Sequence, residues 1–224
     1  MITVHHLNQS RSHRVLWLLE ELELPYEIVL YQRDPQSMLA PAALRSVHPL
    51  GKSPVLTDGG RAIAESGAIL EYLVGHYGNG RLVPEIGSDA RLRYTYWMHY
   101  AEGSFMPLLF AMLLVSRIPR APMSFLARPV ARAIAQGVQR SYLTPQLEEH
   151  YRFIEGELQK GPWLAGDLLT AADVQMSFPL EAAHARGGLD AQRYPRTVQL
   201  LERMRARPAY QRALQKGGPL LAEG

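Results

Sequence analysis

The chain has 224 residues, of which 47% are hydrophobic, so it is long enough to bury a core in one large or two small domains. Its 24 basic and 21 acidic residues give a net charge of +3 and are interspersed along the sequence. No block of like charges indicates a nucleic-acid arm or a polybasic membrane patch. The absence of cysteine excludes disulfides, thiolate metal sites and a cysteine nucleophile, and it fits a reducing, cytoplasmic location.

The first elements predict a β-α-β unit. The opening MITVHHL is strand-like and lacks the basic region followed by a long apolar run of an export signal. The next run, RVLWLLEELEL, carries apolar residues at helical spacing, namely Val15, Leu18, Leu19 and Leu22. After Pro25, YEIVLY alternates apolar and polar residues as a strand does. The two strands are therefore expected to be parallel, with a right-handed crossover.

A second group of elements completes a small α/β unit. A polar loop leads to a short helix near residues 42–47. PVLTD and GRAIAE then flank Asp58-Gly59-Gly60, which is a hairpin signal. The amphipathic run SGAILEYLVGHYG ends at Gly78 and is expected to be a helix. The predicted order of elements is β-α-β-α-β-β-α.

A change of pattern after this unit predicts two domains. Residues 79–87, NGRLVPEIG, are rich in Gly and Pro and have no periodic apolar pattern, which indicates a linker. From Ser88 onward the pattern is helical almost throughout. We therefore expect an α/β domain over residues 1–78 and an all-helical domain over residues 88–224.

Two long helices dominate the expected helical domain, one over residues 89–115 and one over residues 123–160. The second contains Pro129 and Pro145, and we expect bends near both. The first contains the 11-residue run FMPLLFAMLLV, which is shorter than the roughly 20 residues that span a bilayer. We interpret this run as a buried helix and expect no membrane partner.

A further helix is predicted to start at TAAD. Thr170 and Asp173 form a variant of the capping box with Asp in place of Glu or Gln, so Asp173 is expected to be a folding signal and not a catalytic residue. Two short helices separated at Pro208 follow. The eight histidines show no ligand spacing such as HExxH, and no metal site is expected.

Four features in this order resemble the cytosolic glutathione transferases over nearly the whole chain. They are the β-α-β-α-β-β-α order, HPLGKSPVL at residues 48–56, the Glu65-Ser66 pair that opens a helix, and TAAD before a buried helix. The resemblance implies a thioredoxin-like domain packed on a helical domain, glutathione as the co-substrate, and assembly as a homodimer. SRSHRVLWLLEEL and PYEIVLYQRD also resemble a bacterial and fungal branch whose first loop uses neither cysteine nor tyrosine.

The first loop, NQSRSHR, offers a way to stabilise a thiolate. A thiol has an unperturbed pKa of about 8.5, and a hydroxyl at a helix N-terminus lowers it through a hydrogen bond and the helix dipole. We expect Ser12 to cap the helix and Ser10, four residues before Arg14, to donate to sulfur. Arg11 is the alternative source of positive charge at the sulfur. A further alternative is that both serines only cap the helix or form turns.

HPLGKSPVL is expected to bind the main chain of glutathione. Pro54 begins a strand, so it should lie where the sheet meets a ligand or solvent. The resemblance implies that the bond between Ser53 and Pro54 is cis, and that Val55 offers its backbone N–H and C=O to the cysteinyl unit. Lys52 is expected to pair with the glycyl carboxylate, although a solvated surface lysine is the simpler alternative.

Glu65 and Ser66 are expected to bind the γ-glutamyl end of glutathione. Ser66 caps the helix in this interpretation, and its backbone N–H and the helix dipole attract the α-carboxylate. Glu65 then pairs with the α-ammonium group. The alternative is an ordinary helix start, where acidic residues and serines are common.

The predicted activity is that of a glutathione transferase, an enzyme whose bound thiolate attacks a small hydrophobic electrophile. Reduction of a hydroperoxide or mixed disulfide, or isomerisation of an unsaturated diketo acid through a glutathione adduct, uses the same glutathione site. A non-catalytic binding or interaction module of the same fold is the alternative from another class. Because pockets favour domain interfaces, residues of the apolar run are expected to line the electrophile pocket, namely Phe105, Met106 and Leu109.

Overall fold

The computed structural model describes residues 1–34, 37 and 39–220. Its strands form one four-stranded sheet in the order β2-β1-β3-β4. Strands β1 and β2 are parallel, whereas β3 is antiparallel to both β1 and β4. The strand bounds are Ile2–Leu7 for β1, Tyr26–Tyr31 for β2, Val55–Asp58 for β3 and Arg61–Ala64 for β4. The parallel β-α-β unit and the hairpin at Asp58-Gly59-Gly60 are therefore confirmed.

The helices follow the predicted order, with a 3₁₀ helix over Ala42–Ser46 where a short helix was expected. Helices α1 and α2 accompany the sheet, and the later elements are helical in the described part of the chain. The helix bounds are His13–Leu22 for α1, Ser66–Tyr77 for α2, Asp89–Tyr100 for α3, Met106–Arg117 for α4, Arg128–Val138 for α5, Thr144–Glu157 for α6, Ala171–Ala185 for α7, Pro195–Arg205 for α8 and Pro208–Gly217 for α9. The fold is a thioredoxin-like α/β unit followed by a helical one, as predicted.

Two five-residue π-helical turns interrupt the long helices, one over Ala101–Phe105 and one over Gln139–Leu143. Each is followed two residues later by a proline, Pro107 or Pro145. Because proline has no N–H, it removes a helical hydrogen bond, and the π turn before it lets the chain continue as a helix. Pro129 instead lies in the first turn of α5, so the bend expected there is wrong.

One continuous core joins the sheet to the helices, and α1 and α7 are buried along almost their entire length. Helix α7 begins with the predicted capping box. The backbone N–H and the hydroxyl of Thr170 donate to Asp173 Oδ2 at 2.9 and 3.0 Å. Asp173 also accepts from the backbone N–H of Leu164 at 2.9 Å, which ties the preceding loop to the helix start.

The apolar run in α4 is not a buried helix, contrary to expectation. Helix α4 packs against α5, α6 and α7, but Phe110 and Leu114 remain about half exposed. Two of its side chains, Met106 and Leu109, are buried, as is Phe105 immediately before the helix. Among the described residues, one continuous helix, Asp89–Arg120, is long and apolar enough to cross a bilayer by length and composition alone.

Candidate functional site

The first loop, residues 8–12, connects β1 to α1 and is held in place by Arg33, which lies just after β2. The backbone N–H of Arg33 donates to Asn8 Oδ1 at 2.9 Å, and its guanidinium donates to the carbonyl oxygens of Asn8 and Gln9 at 3.2 Å each. Gln9 has a φ of 51°, a left-handed conformation that is unusual for a residue with a side chain. These contacts fix the path of the loop before it reaches Ser10.

Both serines of the first loop are buried and bonded to other groups of the protein. Ser12 Oγ lies 2.7 Å from His6 Nδ1 and 2.8 Å from Ser10 Oγ, and the Ser10 hydroxyl donates to the Leu7 carbonyl oxygen at 2.7 Å. His6 Nε2 lies 2.8 Å from the Gly217 carbonyl oxygen, which places a proton on Nε2 and leaves Nδ1 as an acceptor. Burial lowers the pKa of His6, which favours this neutral ring.

The roles expected for the two serines change accordingly. Ser12 occupies the N-cap position but makes no side-chain cap bond, because its backbone is already helical, at φ −66° and ψ −18°, and its hydroxyl faces His6. The expected cap is therefore wrong. Ser10 is 5% exposed and its single proton is used inside the loop, so donation to a sulfur atom requires its hydroxyl to turn outward.

Arg14 connects both helix N-termini to the helical part of the protein. Its Nη1 lies 3.0 Å from Ser66 Oγ, 2.7 Å from Glu102 Oε1 and 3.0 Å from Gln175 Oε1. Arg14 is fully buried, and burial lowers its pKa to about 10 against the opposing effect of the Glu102 carboxylate. The guanidinium therefore stays charged at neutral pH.

Arg11 shares the Glu102 carboxylate with Arg14 but is accessible to solvent. Its Nε lies 3.2 Å from Glu102 Oε1, and its side chain is 38% exposed. Burial disfavours the charged form of Glu102, yet the two guanidinium groups outweigh burial and hold its pKa below the ordinary value. Both guanidinium groups lie over the ring of Phe178, at 5.6 Å for Arg11 and 5.4 Å for Arg14.

The loop from His48 to Pro54 bonds to β1 through a side chain. Ser53 Oγ accepts from the Leu7 backbone N–H at 3.1 Å and donates to the His5 carbonyl oxygen at 2.9 Å. The bond between Ser53 and Pro54 is cis, as expected. Pro54 is buried immediately before β3, whereas the Lys52 side chain is exposed.

Val55 does not fit the backbone role expected of it. It pairs with His5 on β1 and with Ala64 on β4, so it has a strand on both sides. The N–H and C=O of a residue in an antiparallel pairing point toward the same neighbour. The backbone groups of Val55 therefore face protein in either direction. Because Pro54 has no N–H, the nearest residue before this strand with both a backbone N–H and a C=O outside the sheet is Ser53.

Glu65 and Ser66 form the start of α2. Glu65 occupies the N-cap position with an exposed side chain and a φ of 70°, a strained conformation of the kind that clusters at ligand sites. Ser66 is 4% exposed and is the first residue of the helix. Its hydroxyl accepts from Arg14 instead of capping α2, so the expected cap is wrong.

The three residues expected in the electrophile pocket are core residues. Phe105 lies 5.9 Å from the ring of Tyr151 and 6.2 Å from the ring of Tyr100, and Met106 is buried beside it. Leu109 borders a cavity of about 340 Å³, which it shares with Tyr151 and Arg186. Phe105 contacts the rings of His150 and Tyr151 on α6, and Leu109 shares its cavity with Tyr151, so both lie on the side of the chain that faces α6.

Sequence reasoning missed Arg14, Glu102, Gln175 and Phe178. Arg14 carried a signal, because it lies four residues before Leu18 and thus on the buried face of α1. Its partners carried none, since Glu102 and Gln175 are 88 and 161 residues away along the chain. Arg33 also carried no sequence signal for its contacts with the first loop, since it is simply the second residue after β2.

Comparison with known proteins identifies the family. The N-terminal domain of glutathione S-transferase matches residues 10–75, and its C-terminal domain matches residues 121–208. Glutathione S-transferase 1 of Saccharomyces cerevisiae is 33% identical over 98% of this chain and 97% of its own length, and glutathione S-transferase 3 of Schizosaccharomyces pombe is 37% identical over 96% and 88%. A glutathione S-transferase structure from Actinobacillus pleuropneumoniae has a TM-score of 0.80 and 34% identity, covering 98% of this chain and 94% of that one. The chain belongs to the glutathione S-transferase family.

Proposed function

We propose that this enzyme holds glutathione at the N-termini of α1 and α2 and transfers its thiolate to a small apolar electrophile. The observation that carries the proposal is the 3.0 Å contact between Arg14 near the start of α1 and Ser66 at the start of α2. Each helix N-terminus presents partial positive charge and unpaired N–H groups. Two of the anionic groups of glutathione, the thiolate and the γ-glutamyl α-carboxylate, each suit one helix start.

For the sulfur atom, the contacts favour Arg11 over Ser10. Arg11 places a charged and partly exposed guanidinium in the first loop, with its Nε directed to Glu102 and its terminal nitrogens available. A nearby cation lowers a thiol pKa and so raises the thiolate fraction at neutral pH. Ser10 remains the alternative donor if its hydroxyl leaves the Leu7 carbonyl oxygen.

The remaining groups of glutathione are assigned by chemistry. Ser66 and the N-terminus of α2 receive the γ-glutamyl α-carboxylate, and the exposed Glu65 carboxylate pairs with the α-ammonium group. The backbone of Ser53, in place of Val55, bonds to the cysteinyl unit. Lys52 is exposed and has no ion-pair partner among the described residues, which leaves it free to pair with the glycyl carboxylate.

The reaction follows from the thiolate. Its lone pair forms a carbon–sulfur bond with the electrophilic carbon, and a leaving group such as halide departs with its bonding electrons. The Arg11 guanidinium lies over the ring of Phe178, which is itself buried and supports the guanidinium from beneath. Reduction of a hydroperoxide or a mixed disulfide is a related reaction of the same sulfur.

We propose further that the chain is a cytoplasmic homodimer with domains over residues 1–78 and 88–224. Exposed apolar side chains on α3 and α6 support an interface there. Tyr96 and Phe153 lie 6.0 Å apart between ring centroids and are 48% and 39% exposed, and Leu92 is 72% exposed. Light scattering on the wild type and on Tyr96→Ser/Phe153→Ser tests this interface. A dimer that becomes monomeric in the double variant is expected, and a wild-type monomer contradicts it.

The experiment for the activity combines retention and turnover. The purified chain is applied to immobilised glutathione, and the retained protein is assayed for conjugation of an aromatic halide by absorbance. Retention with turnover is expected. Retention without turnover on any of several aromatic halides and unsaturated carbonyls supports the non-catalytic binding module instead, and no retention removes the glutathione site.

A further inference from the structure

The segment between Glu102 and Glu148 has an unusual composition. These residues, 103–147, contain five arginines and no Asp, Glu, Lys or His. The whole chain carries a net charge of +3, so the rest of the chain has a net charge of −2. We call residues 103–147 the basic hairpin, because they run up α4, turn, and return through α5 into the start of α6. The arginines are Arg117, Arg120, Arg128, Arg132 and Arg140.

The basic hairpin also exposes apolar side chains at high density. Of 19 large hydrophobic side chains that are exposed in the described part of the chain, 9 lie in this segment. They are Phe110, Leu114, Ile118, Phe125, Leu126, Val130, Ile134, Val138 and Tyr142. The four-residue spacing of Val130, Ile134 and Val138 places them on one side of α5. An exposed apolar surface of this extent indicates an interaction site.

The charges of the basic hairpin are not neutralised inside the protein. None of its arginines takes part in an ion pair among the described residues. Arg120 donates only to the Ser116 carbonyl oxygen, at 3.4 Å. Arg128, Arg132 and Arg140 are exposed. Elsewhere, exposed cations such as Arg205 and Arg212 are paired with Glu181 and Glu20.

Charge and side-chain type together select the partner. A second copy docked through the same surface by two-fold symmetry brings arginines against arginines, with no carboxylate in either segment to separate them. Nucleic acid fits the arginines but gives no use to Leu126, Val130, Ile134 and Val138, which have no ring to stack on bases. An anionic lipid surface accepts both, since arginine binds phosphate and aliphatic side chains enter the region below the headgroups.

The hairpin is suited to lie on a membrane and not to cross it. The continuous helix Asp89–Arg120 is long enough to cross a bilayer, but its first half is part of the protein core, with Tyr94 and Trp97 each 1% exposed. The side chains available to a membrane lie on the exposed surface of its far half and in the connection to α5. Phe125 and Leu126, in this connection, are 78% and 72% exposed.

We propose that the basic hairpin is a docking surface for an anionic lipid membrane. Phe125 and Leu126 insert at the level of the headgroups, and the exposed apolar side of α5 lies against the lipid. The arginines contact lipid phosphates. The arginines are dispersed along the sequence, so no run of like charges marks the surface, and it is the folding of α4 against α5 that gathers them. This proposal is independent of the catalytic one.

The test is sedimentation of the full chain with vesicles. Wild type is expected to bind vesicles that contain phosphatidylglycerol, to bind phosphatidylcholine vesicles far more weakly, and to be released by salt. The triple variant Arg128→Gln/Arg132→Gln/Arg140→Gln is expected to lose roughly 100-fold in binding, since each basic residue near an anionic surface contributes about 1 kcal/mol. A matched variant, Arg61→Gln/Arg152→Gln/Arg196→Gln, removes the same charge from exposed positions elsewhere and is expected to bind as wild type does.

A second variant tests the apolar contribution. Phe125→Ser/Leu126→Ser is expected to weaken vesicle binding while keeping glutathione conjugation of a water-soluble electrophile, which also shows that the variant is folded. Equal binding of wild type to both kinds of vesicle, or to neither, overturns the proposal. So does a change from dimer to monomer in this variant without a change in vesicle binding, because the surface then contacts a second copy. Retention of wild type by duplex DNA but not by anionic vesicles overturns it as well.

Discussion

The first loop and the basic hairpin depart from the usual burial pattern in opposite directions. At the start of α1, Ser12, His13 and Arg14 are polar and at most 1% exposed. In the hairpin, Phe125 and Leu126 are apolar and more than two-thirds exposed, at 78% and 72%. A buried polar group and an exposed apolar cluster each cost free energy in folding. Each therefore indicates a function, because the packing of a stable core does not require it.

The two regions differ in how that cost is offset. At the first loop, hydrogen bonds inside the protein satisfy the buried hydroxyls and His6, as in the contacts among His6, Ser10 and Ser12, whereas His13 and two of the three Arg14 nitrogens have no partner among the described residues. This site is built before any ligand arrives, which suits a small molecule held in a fixed orientation. Among the described residues, no carboxylate pairs with the arginines of the hairpin, and its exposed apolar side chains face solvent. The proposed membrane would offset this cost from outside the chain.

The largest effect is expected from a substitution that breaks the ion pair between Arg14 and Glu102. Glu102→Ala leaves the fully buried Arg14 guanidinium with only the neutral partners Ser66 and Gln175. The free energy of unfolding is expected to fall by about 3 kcal/mol, the lower end for a broken buried pair, because Glu102 itself is one-third exposed. Urea denaturation measures it. Glu102→Gln, which keeps an acceptor at that position, is the control and should lose less.

The same pair predicts a pH dependence in acid. The folded-state pKa of Glu102 is lowered by the two guanidinium groups, so its contribution is present above the unfolded value of about 4.5 and is lost as pH falls through the folded value. As pH falls below about 4.5, wild type should therefore lose stability more steeply than Glu102→Gln does. Parallel curves for the two proteins would show that the pair contributes nothing.

The next effect tests the start of α2 as a ligand site. Glu65→Ala and Ser66→Ala are each expected to weaken glutathione binding by roughly 1.5–3 kcal/mol, the range for hydrogen bonds to charged groups. Isothermal titration calorimetry measures the affinity. Glu71→Ala, on the same helix but away from its N-terminus, is the control. Unchanged affinity in both test variants removes the proposed γ-glutamyl site.

Ser12→Ala tests whether the first loop depends on its internal hydrogen bonds. The variant leaves His6 Nδ1 buried without its partner, and an unsatisfied buried group costs about 1–3 kcal/mol. Denaturant unfolding should show this loss, while Ser124→Ala in the exposed connection of the hairpin should show almost none. A loss of equal size in both variants contradicts the comparison between the two regions.

The effect that is smallest near neutral pH concerns His13, which is buried and has no hydrogen-bond partner on either ring nitrogen among the described residues. Burial lowers its pKa to about 3, so the folded state keeps the ring neutral while the unfolded chain binds a proton below about 6.5. Stability is therefore lost as pH falls from about 6.5 toward 3, by at most about 1.4 kcal/mol per pH unit. His13→Phe keeps the edge contact with Tyr210, 5.0 Å away, and should flatten this slope. If stability falls with pH as steeply in His13→Phe as in wild type, His13 is not the cause of this pH dependence.

Sequence reasoning predicted the elements well because their signals are local. The spacing of Val15, Leu18 and Leu22 determines the buried face of α1, and two glycines after Asp58 determine the hairpin. The site depends on contacts distant in sequence. Nothing near Arg14 specifies Glu102, and nothing near Ser12 specifies that its hydroxyl bonds to His6 and leaves the helix uncapped.

Two further errors have the same origin. The role given to Val55 failed because the pairing of β3 with both β1 and β4 is a property of the whole sheet. The apolar run beginning at Phe105 was interpreted as buried because composition does not show how many sides of a helix find partners. Helix α4 contacts α5, α6 and α7, and these partners do not cover its whole surface. The exposure of Phe110 and Leu114 follows from that packing.

The central claim is that positive charge at the first loop stabilises the thiolate of bound glutathione, with Arg11 as its main source. The most direct measurement is the ultraviolet absorbance of the enzyme-bound thiolate against pH for wild type, Arg11→Ala and Ser10→Ala, with Arg11→Lys as the control that keeps the charge. We expect wild type to titrate well below the ordinary thiol pKa of about 8.5, Arg11→Ala to titrate near that value, and the other two variants to stay close to wild type. A wild-type titration near 8.5, or a shift in Ser10→Ala without one in Arg11→Ala, contradicts the claim.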